Sequence, residues 1–131
     1  MQIVNETRKT VLASNAEVAD TPQRRSKGLL GRNGLGPGGA LWIVPCESVH
    51  TFWMKFDLDL IYIDRRYRVV KIRTGVPPWR LSACLKAHSI IEFQASALRD
   101  TGTLPGDQLA FVPVSSPESG TSDAIWNQNK Q

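Results

Sequence analysis

The sequence predicts an α+β domain: a mostly antiparallel, curled sheet, barrel- or sandwich-like, with one helix docked in its N-terminal half. Short β-rich runs recur along the chain, and turn residues separate them. Only one segment carries strong helix-start signals. The length of 131 residues is that of a single domain. We therefore expect one domain over residues 1–114 and, because Ser, Gly, Pro, Asn and Gln dominate afterwards, a disordered tail over 115–131.

The helix follows a predicted N-terminal hairpin. Thr21 can cap the helix through its hydroxyl, and Pro22 fits the first helical position because no hydrogen bond is lost there. We expect the helix to run to about Leu30 and to end at Gly31 or Gly34. Gly28 then lies inside it, which predicts close packing at that position.

The remaining segments predict strands joined by turns. The apolar run Ala40–Val44 is typical of a strand buried on both faces. Val49–Met54 is predicted to be extended, which places His50, Phe52 and Met54 on one face. A short helical turn is expected over Ala97–Thr101. The other predicted strands are Gln2–Asn5, Thr10–Ser14, Leu58–Asp64, Arg68–Arg73, Ser89–Gln94 and Leu109–Val112.

Composition narrows the function classes. The net charge of +4 and pI near 9.4 invite a nucleic-acid hypothesis. However, the basic group Arg65–Arg73 is typical of a hairpin turn and one strand's solvent side, and no zinc-finger or ribonucleoprotein motif occurs, so nucleic-acid binding is the less favoured function. No stretch approaches ~18 consecutive apolar residues, so we expect no membrane span. The opening Met1–Thr7 has no apolar secretory region, so we expect a cytoplasmic protein in which Cys46 and Cys84 are reduced. We also expect a monomer.

Four stretches resemble a known family. Asp20–Arg32 is similar to the family's Thr, Arg and Gly-Leu-Met-x-Arg pattern, with Leu30 in place of Met, and Cys46–Asp64 resembles its central signature. Ile90–Ala95 and Pro105-Gly106-Asp107 are similar to its Leu-Glu-Leu-Pro-Ala-Gly and Gly-Asp signatures, although Gln94 and Ser96 depart from the Pro and Gly. The family is the bacterial and archaeal domain of unknown function 192. The resemblance implies a compact β-rich domain and no established activity or cofactor.

Two Cys-x3-His pairs are candidate metal ligands. Cys46 with His50, and Cys84 with His88, have side chains suited to zinc or copper. On a strand, four residues span about 13 Å, so only a looped or helical segment could close such a pair around one ion. Cys46 follows Pro45 in a predicted loop, and its pair is the better candidate. The alternative is two small buried residues and two ordinary histidines, with no cofactor.

Asp59 is a candidate ligand anchor or structural carboxylate. It interrupts an apolar strand, where an unpaired carboxylate would cost several kcal/mol. Either its face is exposed, or it has a fixed partner such as Trp53 Nε1, Lys55, Arg32 or backbone N–H groups. In the functional interpretation it is a general base or ligand anchor beside His50.

The sequence favours a small binding or accessory module for an unknown small molecule or protein. The alternative is a metal-binding protein or enzyme that uses His50, Asp59 and Cys46. No Gly-x-Ser-x-Gly elbow occurs, and the sequence assigns no reaction. The candidate ligand-binding residues are His50, Trp53, Met54, Asp59 and Arg32, and the candidate metal ligands are Cys46 and His50.

Overall fold

The computed structural model describes residues 1–114, and within them the chain forms ten strands and one helix. The predicted tail over 115–131 lies outside the described residues. In chain order the elements are β1 (Gln2–Asn5), β2 (Thr10–Ala13), β3 (Asn15–Ala19), α1 (Pro22–Lys27), β4 (Gly39–Ile43), β5 (Ser48–His50), β6 (Leu58–Ile63), β7 (Val69–Val76), β8 (Leu81–Ala83), β9 (Ser89–Gln94) and β10 (Leu109–Val112).

The strands form three sheets. A five-stranded sheet has the order β3-β4-β9-β6-β7, a three-stranded sheet the order β10-β1-β2, and a two-stranded sheet pairs β5 with β8. Within residues 1–114, β3 and β4 are the one parallel pair, and the other pairs are antiparallel. The predicted α+β class is confirmed.

The inner strands β6 and β9 of the five-stranded sheet are buried on both faces. In β6 and β9, alternate side chains point to opposite faces. Ile61, Ile91 and Phe93 pack with Ile3 of the three-stranded sheet. On the other face, Leu60, Tyr62 and Ile90 form a second core, which Leu29 and Met54 cover. The candidate site lies on this second face.

The helix begins where predicted and ends earlier. The Thr21 hydroxyl accepts a hydrogen bond from the Arg24 N–H at 3.2 Å, and Pro22 is the first helical residue. The helix ends at Lys27 rather than Leu30, because Gly28 leaves it with a φ of +48° that L side chains rarely adopt. Gly28 is therefore the residue that ends the helix, and the expectation of a close interior contact there is wrong: a Cβ would find its nearest atom at 3.9 Å.

The predicted strand Val49–Met54 is interrupted halfway. The strand β5 ends at His50, and the backbone turns so that Met54 N–H donates to Thr51 O at 3.2 Å. Trp53 has a left-handed φ of +68°. His50, Phe52 and Met54 therefore do not share a strand face: Met54 is buried, and the other two are exposed.

The predicted helical turn over Ala97–Thr101 is a succession of tight turns instead. Backbone N–H groups donate to carbonyls three residues earlier, from Ala97 to Gln94 and from Thr101 to Leu98. Left-handed φ values of +79° at Ser96 and +66° at Asp100 prevent a helix from continuing.

Candidate ligand-binding site

A cleft separates α1 from the segment that leads into β5, and the β9 residue Glu92 lies at its base. The helix side of the cleft carries Arg25 and Lys27, and the opposite side carries Cys46 and His50. The other lining residues are Pro22, Ser26, Gly28, Leu29, Leu30, Ile43, Ser48, Val49 and Met54. Charged, polar and apolar groups thus converge above one buried carboxyl.

Glu92 is held in the centre of the five-stranded sheet. In the strand register it lies between Leu41 of β4 and Leu60 of β6, on the same face as the second core. The residue is 5% exposed, and its carboxyl makes no hydrogen bond with any group in residues 1–114. Burial among apolar neighbours raises the pKa of Glu92 from 4.5 to about 7.

The wall opposite the helix carries Cys46 and His50. The Cys46 thiol donates to the backbone oxygen of Ser48 at 3.1 Å, and partial burial raises the pKa of this thiol. His50 is exposed, and its ring stacks on Phe52 with centroids 4.9 Å apart. A neutral thiol and an accessible imidazole therefore flank the cleft above Glu92.

The structure brings three of the sequence-predicted residues together in this cleft: Cys46, His50 and Met54. Asp59, Arg32 and Trp53 lie elsewhere. The carboxylate of Asp59, which is 1% exposed, accepts hydrogen bonds from the backbone N–H groups of Gly75 at 2.9 Å and Leu98 at 3.2 Å. Both of its oxygens thus have partners within the fold.

Arg32 does not line the Glu92 cleft and pairs with Glu17 instead. Its guanidinium donates to both carboxylate oxygens, at 2.8 and 2.9 Å. This bidentate contact lowers the pKa of Glu17. Because both side chains are solvent-accessible, the pair contributes little to stability.

Glu92 is the site residue that sequence reasoning missed. Its signal was a single carboxylate in the apolar strand Ile90–Phe93, which is the same signal that singled out Asp59. The two residues differ in their surroundings, because Asp59 meets two backbone donors and Glu92 meets none in residues 1–114. The sequence does not distinguish these two cases.

The predicted metal ligands do not come together in the geometry of a metal site. Among residues 1–114, no group of three or more His, Cys, Asp or Glu side chains converges as an ion site would require. His88 does not line the Glu92 cleft but a separate pocket with Glu47 and Asp64, and its Nδ1 is buried without a hydrogen-bond partner in the described part of the chain.

The one helix within residues 1–114, α1, lacks the length and apolar character needed to cross a membrane.

Comparison with known proteins places this fold in a family. The chain is 30% identical to the UPF0127 protein TK1120 of Thermococcus kodakarensis over 88% of this chain and 76% of the relative. It is 34% identical to the UPF0127 protein PYRAB11210 of Pyrococcus abyssi over 84% and 97% of the two chains. A crystal structure of a protein of unknown function from Novosphingobium aromaticivorans superposes with a TM-score of 0.74 at 21% identity, covering 85% of this chain and 84% of that one. Residues 3–111 match the model of the domain of unknown function 192, described as "Uncharacterized ACR", so the chain belongs to that family.

Proposed function

We propose that this protein is a binding module that holds a small molecule in the cleft above Glu92. The observation that carries the proposal is a carboxyl that is 5% exposed, has no hydrogen-bond partner in residues 1–114 and lies at the base of an open cleft. Burial without a donor from the fold disfavours the ionised form of this carboxyl. A ligand that supplies a donor to Glu92 from the cleft would stabilise that form.

The lining indicates the chemistry of the ligand. A cationic or N–H-bearing group suits Glu92, because ionised donors form the stronger hydrogen bonds with carboxylates. Ile43, Leu29 and Met54 offer apolar contact beside it. Arg25 and Lys27 line the helix side and suit an acceptor at the outer end of the ligand. We therefore infer a small molecule with a donor at its inner end, an apolar middle and an acceptor at its outer end.

Benzamidine tests this proposal, because its planar amidinium can donate two parallel N–H groups to one carboxylate. We expect benzamidine to shift the backbone amide signals of Glu92, Leu29 and Ser48 in an NMR titration. Benzoate, which has a similar ring and the opposite charge, should not shift the signal of Glu92.

Two variants make the test specific. Glu92→Gln should weaken benzamidine binding at least about tenfold, since the charge-assisted contact is lost. Glu47→Gln removes a nearby exposed carboxylate and should leave binding unchanged. Benzamidine shifts scattered over the surface, or equal binding by the parent and Glu92→Gln, would contradict the proposal.

The alternative function, an enzyme or metal-binding protein that uses His50, Asp59 and Cys46, stays a prediction. The two backbone hydrogen bonds of Asp59 support a structural role for it, and its position on another side of the sheet does not favour cooperation with His50. We also keep the monomeric state, the cytoplasmic location and the absence of nucleic-acid binding as proposals.

A further inference from the structure

A cluster of large apolar side chains projects from one end of the two-stranded sheet. Trp53 is 72% exposed, Trp79 53%, Leu81 70% and Phe52 38%. Phe52 stacks on Trp79 with centroids 5.7 Å apart, and Trp53 meets Trp79 edge-on at 4.7 Å. We call these four residues the aromatic tip. Solvent-facing side chains of this size in one cluster are unusual for a surface with no partner.

Thr51 holds the two loops of the aromatic tip together. This residue is 1% exposed. Its hydroxyl donates to Pro77 O at 2.6 Å and accepts from Arg80 N–H at 2.8 Å, while its backbone oxygen accepts from Trp79 N–H at 3.1 Å. One buried residue thus fixes the loop with Trp53 against the loop with Trp79.

The backbone of both tryptophans is strained. Trp53 has a φ of +68° and Trp79 a φ of +67°, in a left-handed region that bulky side chains rarely adopt. Residues in this region persist where the surrounding structure imposes them, and they cluster at functional sites. The fold therefore presents these two indoles outward against their local conformational preference.

The surroundings of the aromatic tip are mainly basic. Lys55 and Arg80 are exposed beside it, and the segment 79–88 contains Arg80 and Lys86 but no acid. From β7 of the five-stranded sheet, Lys71 Nζ reaches the two-stranded sheet and donates to Ala83 O of β8 at 2.7 Å. The exposed acids nearest in sequence are Glu47 and Asp57. Basic residues around an apolar cluster complement an anionic surface with an apolar interior.

We propose that the aromatic tip is a membrane-docking surface that inserts into the headgroup region of a bilayer containing anionic lipids. Tryptophan suits this region because its ring is apolar and its N–H is polar. Lysine and arginine next to the surface add attraction to anionic headgroups. The docking is peripheral, and this proposal does not rest on the ligand proposed for the Glu92 cleft, which adjoins the aromatic tip through the His50–Phe52 stack.

Vesicle sedimentation tests the proposal with the full chain. The vesicles are phosphatidylcholine alone, or phosphatidylcholine with about a quarter phosphatidylserine. At about 0.1 M salt we expect sedimentation with the anionic vesicles and much less with the neutral ones, and we expect added salt to weaken it. The double variant Trp53→Ser/Trp79→Ser should lower the partition coefficient at least about tenfold.

Matched controls exclude a general effect of surface hydrophobicity. Val11 and Leu104 are 54% and 53% exposed, on β2 and in the loop before β10, and Val11→Ser/Leu104→Ser should sediment like the parent. Should the tryptophan variant unfold, Leu81→Ser and Arg80→Glu test the same surface with milder changes. No sedimentation of the parent, or equal loss in the Val11/Leu104 variant, would overturn the proposal. So would a parent that self-associates through the aromatic tip without binding vesicles.

Discussion

Asp59 Oδ1 accepts a hydrogen bond from the backbone N–H of Gly75 at 2.9 Å, across an irregularity where β6 and β7 change register. Gly75 reaches this contact with a φ of +61°, which a residue with a side chain would adopt only under strain. The second oxygen accepts from Leu98 N–H at 3.2 Å, so Asp59 joins β7 to the turns over 95–101. These contacts account for an acid inside an apolar strand.

Substitution of Asp59 should therefore destabilise the fold. Asp59→Asn retains one acceptor and should lower the free energy of unfolding by about 1–3 kcal/mol, because one backbone donor loses its partner. Asp59→Ala should cost more, because both donors are left unpaired. Urea titrations measure both, with the exposed neighbour Asp57→Asn as control. Midpoints unchanged from the parent would refute the structural role.

Removal of the N-terminal cap of α1 should destabilise the fold less than substitution of Asp59. Thr21→Ala removes the acceptor for Arg24 N–H and should lower stability by ~1 kcal/mol. Ser26→Ala, at an exposed position of the same helix, should have little effect on the thermal midpoint. If the two variants have the same thermal midpoint, the capping contact does not stabilise the protein.

Both thiols should react as free thiols. Cys46 and Cys84 are both unpaired in the structure, so a non-reducing mass spectrum should show the full reduced mass. Because burial raises the pKa of Cys46, we expect its alkylation at neutral pH to be slower than that of a thiol in the urea-unfolded chain. A mass two daltons lower would show a disulfide and contradict this prediction.

Glu92 makes stability depend on pH. Its pKa rises from 4.5 to about 7 on folding, so the native state binds the proton more tightly, and stability is greatest below pH 4.5 as far as this group is concerned. As pH rises to about 7, the parent should lose roughly 3 kcal/mol relative to Glu92→Gln. Urea unfolding of both proteins at pH 5 and pH 8 measures the difference, with Glu47→Gln as control. Parallel pH profiles for parent and Glu92→Gln would contradict it.

The sequence predicted the elements whose signals are local. The Thr21 cap, the Pro22 start and the strand Ser89–Gln94 are each determined by neighbouring residues, and the structure has them where predicted. Asn15–Ala19 was missed as a strand because its pairing with β4 is parallel and joins segments separated by α1. The helix ends earlier than its sequence predicts, because Gly28 takes a left-handed φ and stops the helix, whereas the sequence alone does not distinguish it from a tolerated interior glycine.

The candidate site was predicted in part. Cys46, His50 and Met54 do meet, but the sequence grouped them with Asp59, which faces two backbone donors on another side of the sheet. Whether a buried carboxylate finds donors depends on the ends of distant loops, such as the N–H of Leu98. The positions of such donors depend on tertiary structure and cannot be read from the local sequence, so the sequence alone does not identify Glu92 as the unpaired carboxyl.

The most direct test of the Glu92 cleft is an NMR titration of the Glu92 side-chain carboxyl carbon against pH, with and without benzamidine. The carboxyl should titrate with a midpoint near 7, and benzamidine should lower that midpoint because the cation favours the ionised form. A midpoint near 4.5 that benzamidine leaves unchanged would show that Glu92 is solvated or already paired, and would contradict the proposed binding site.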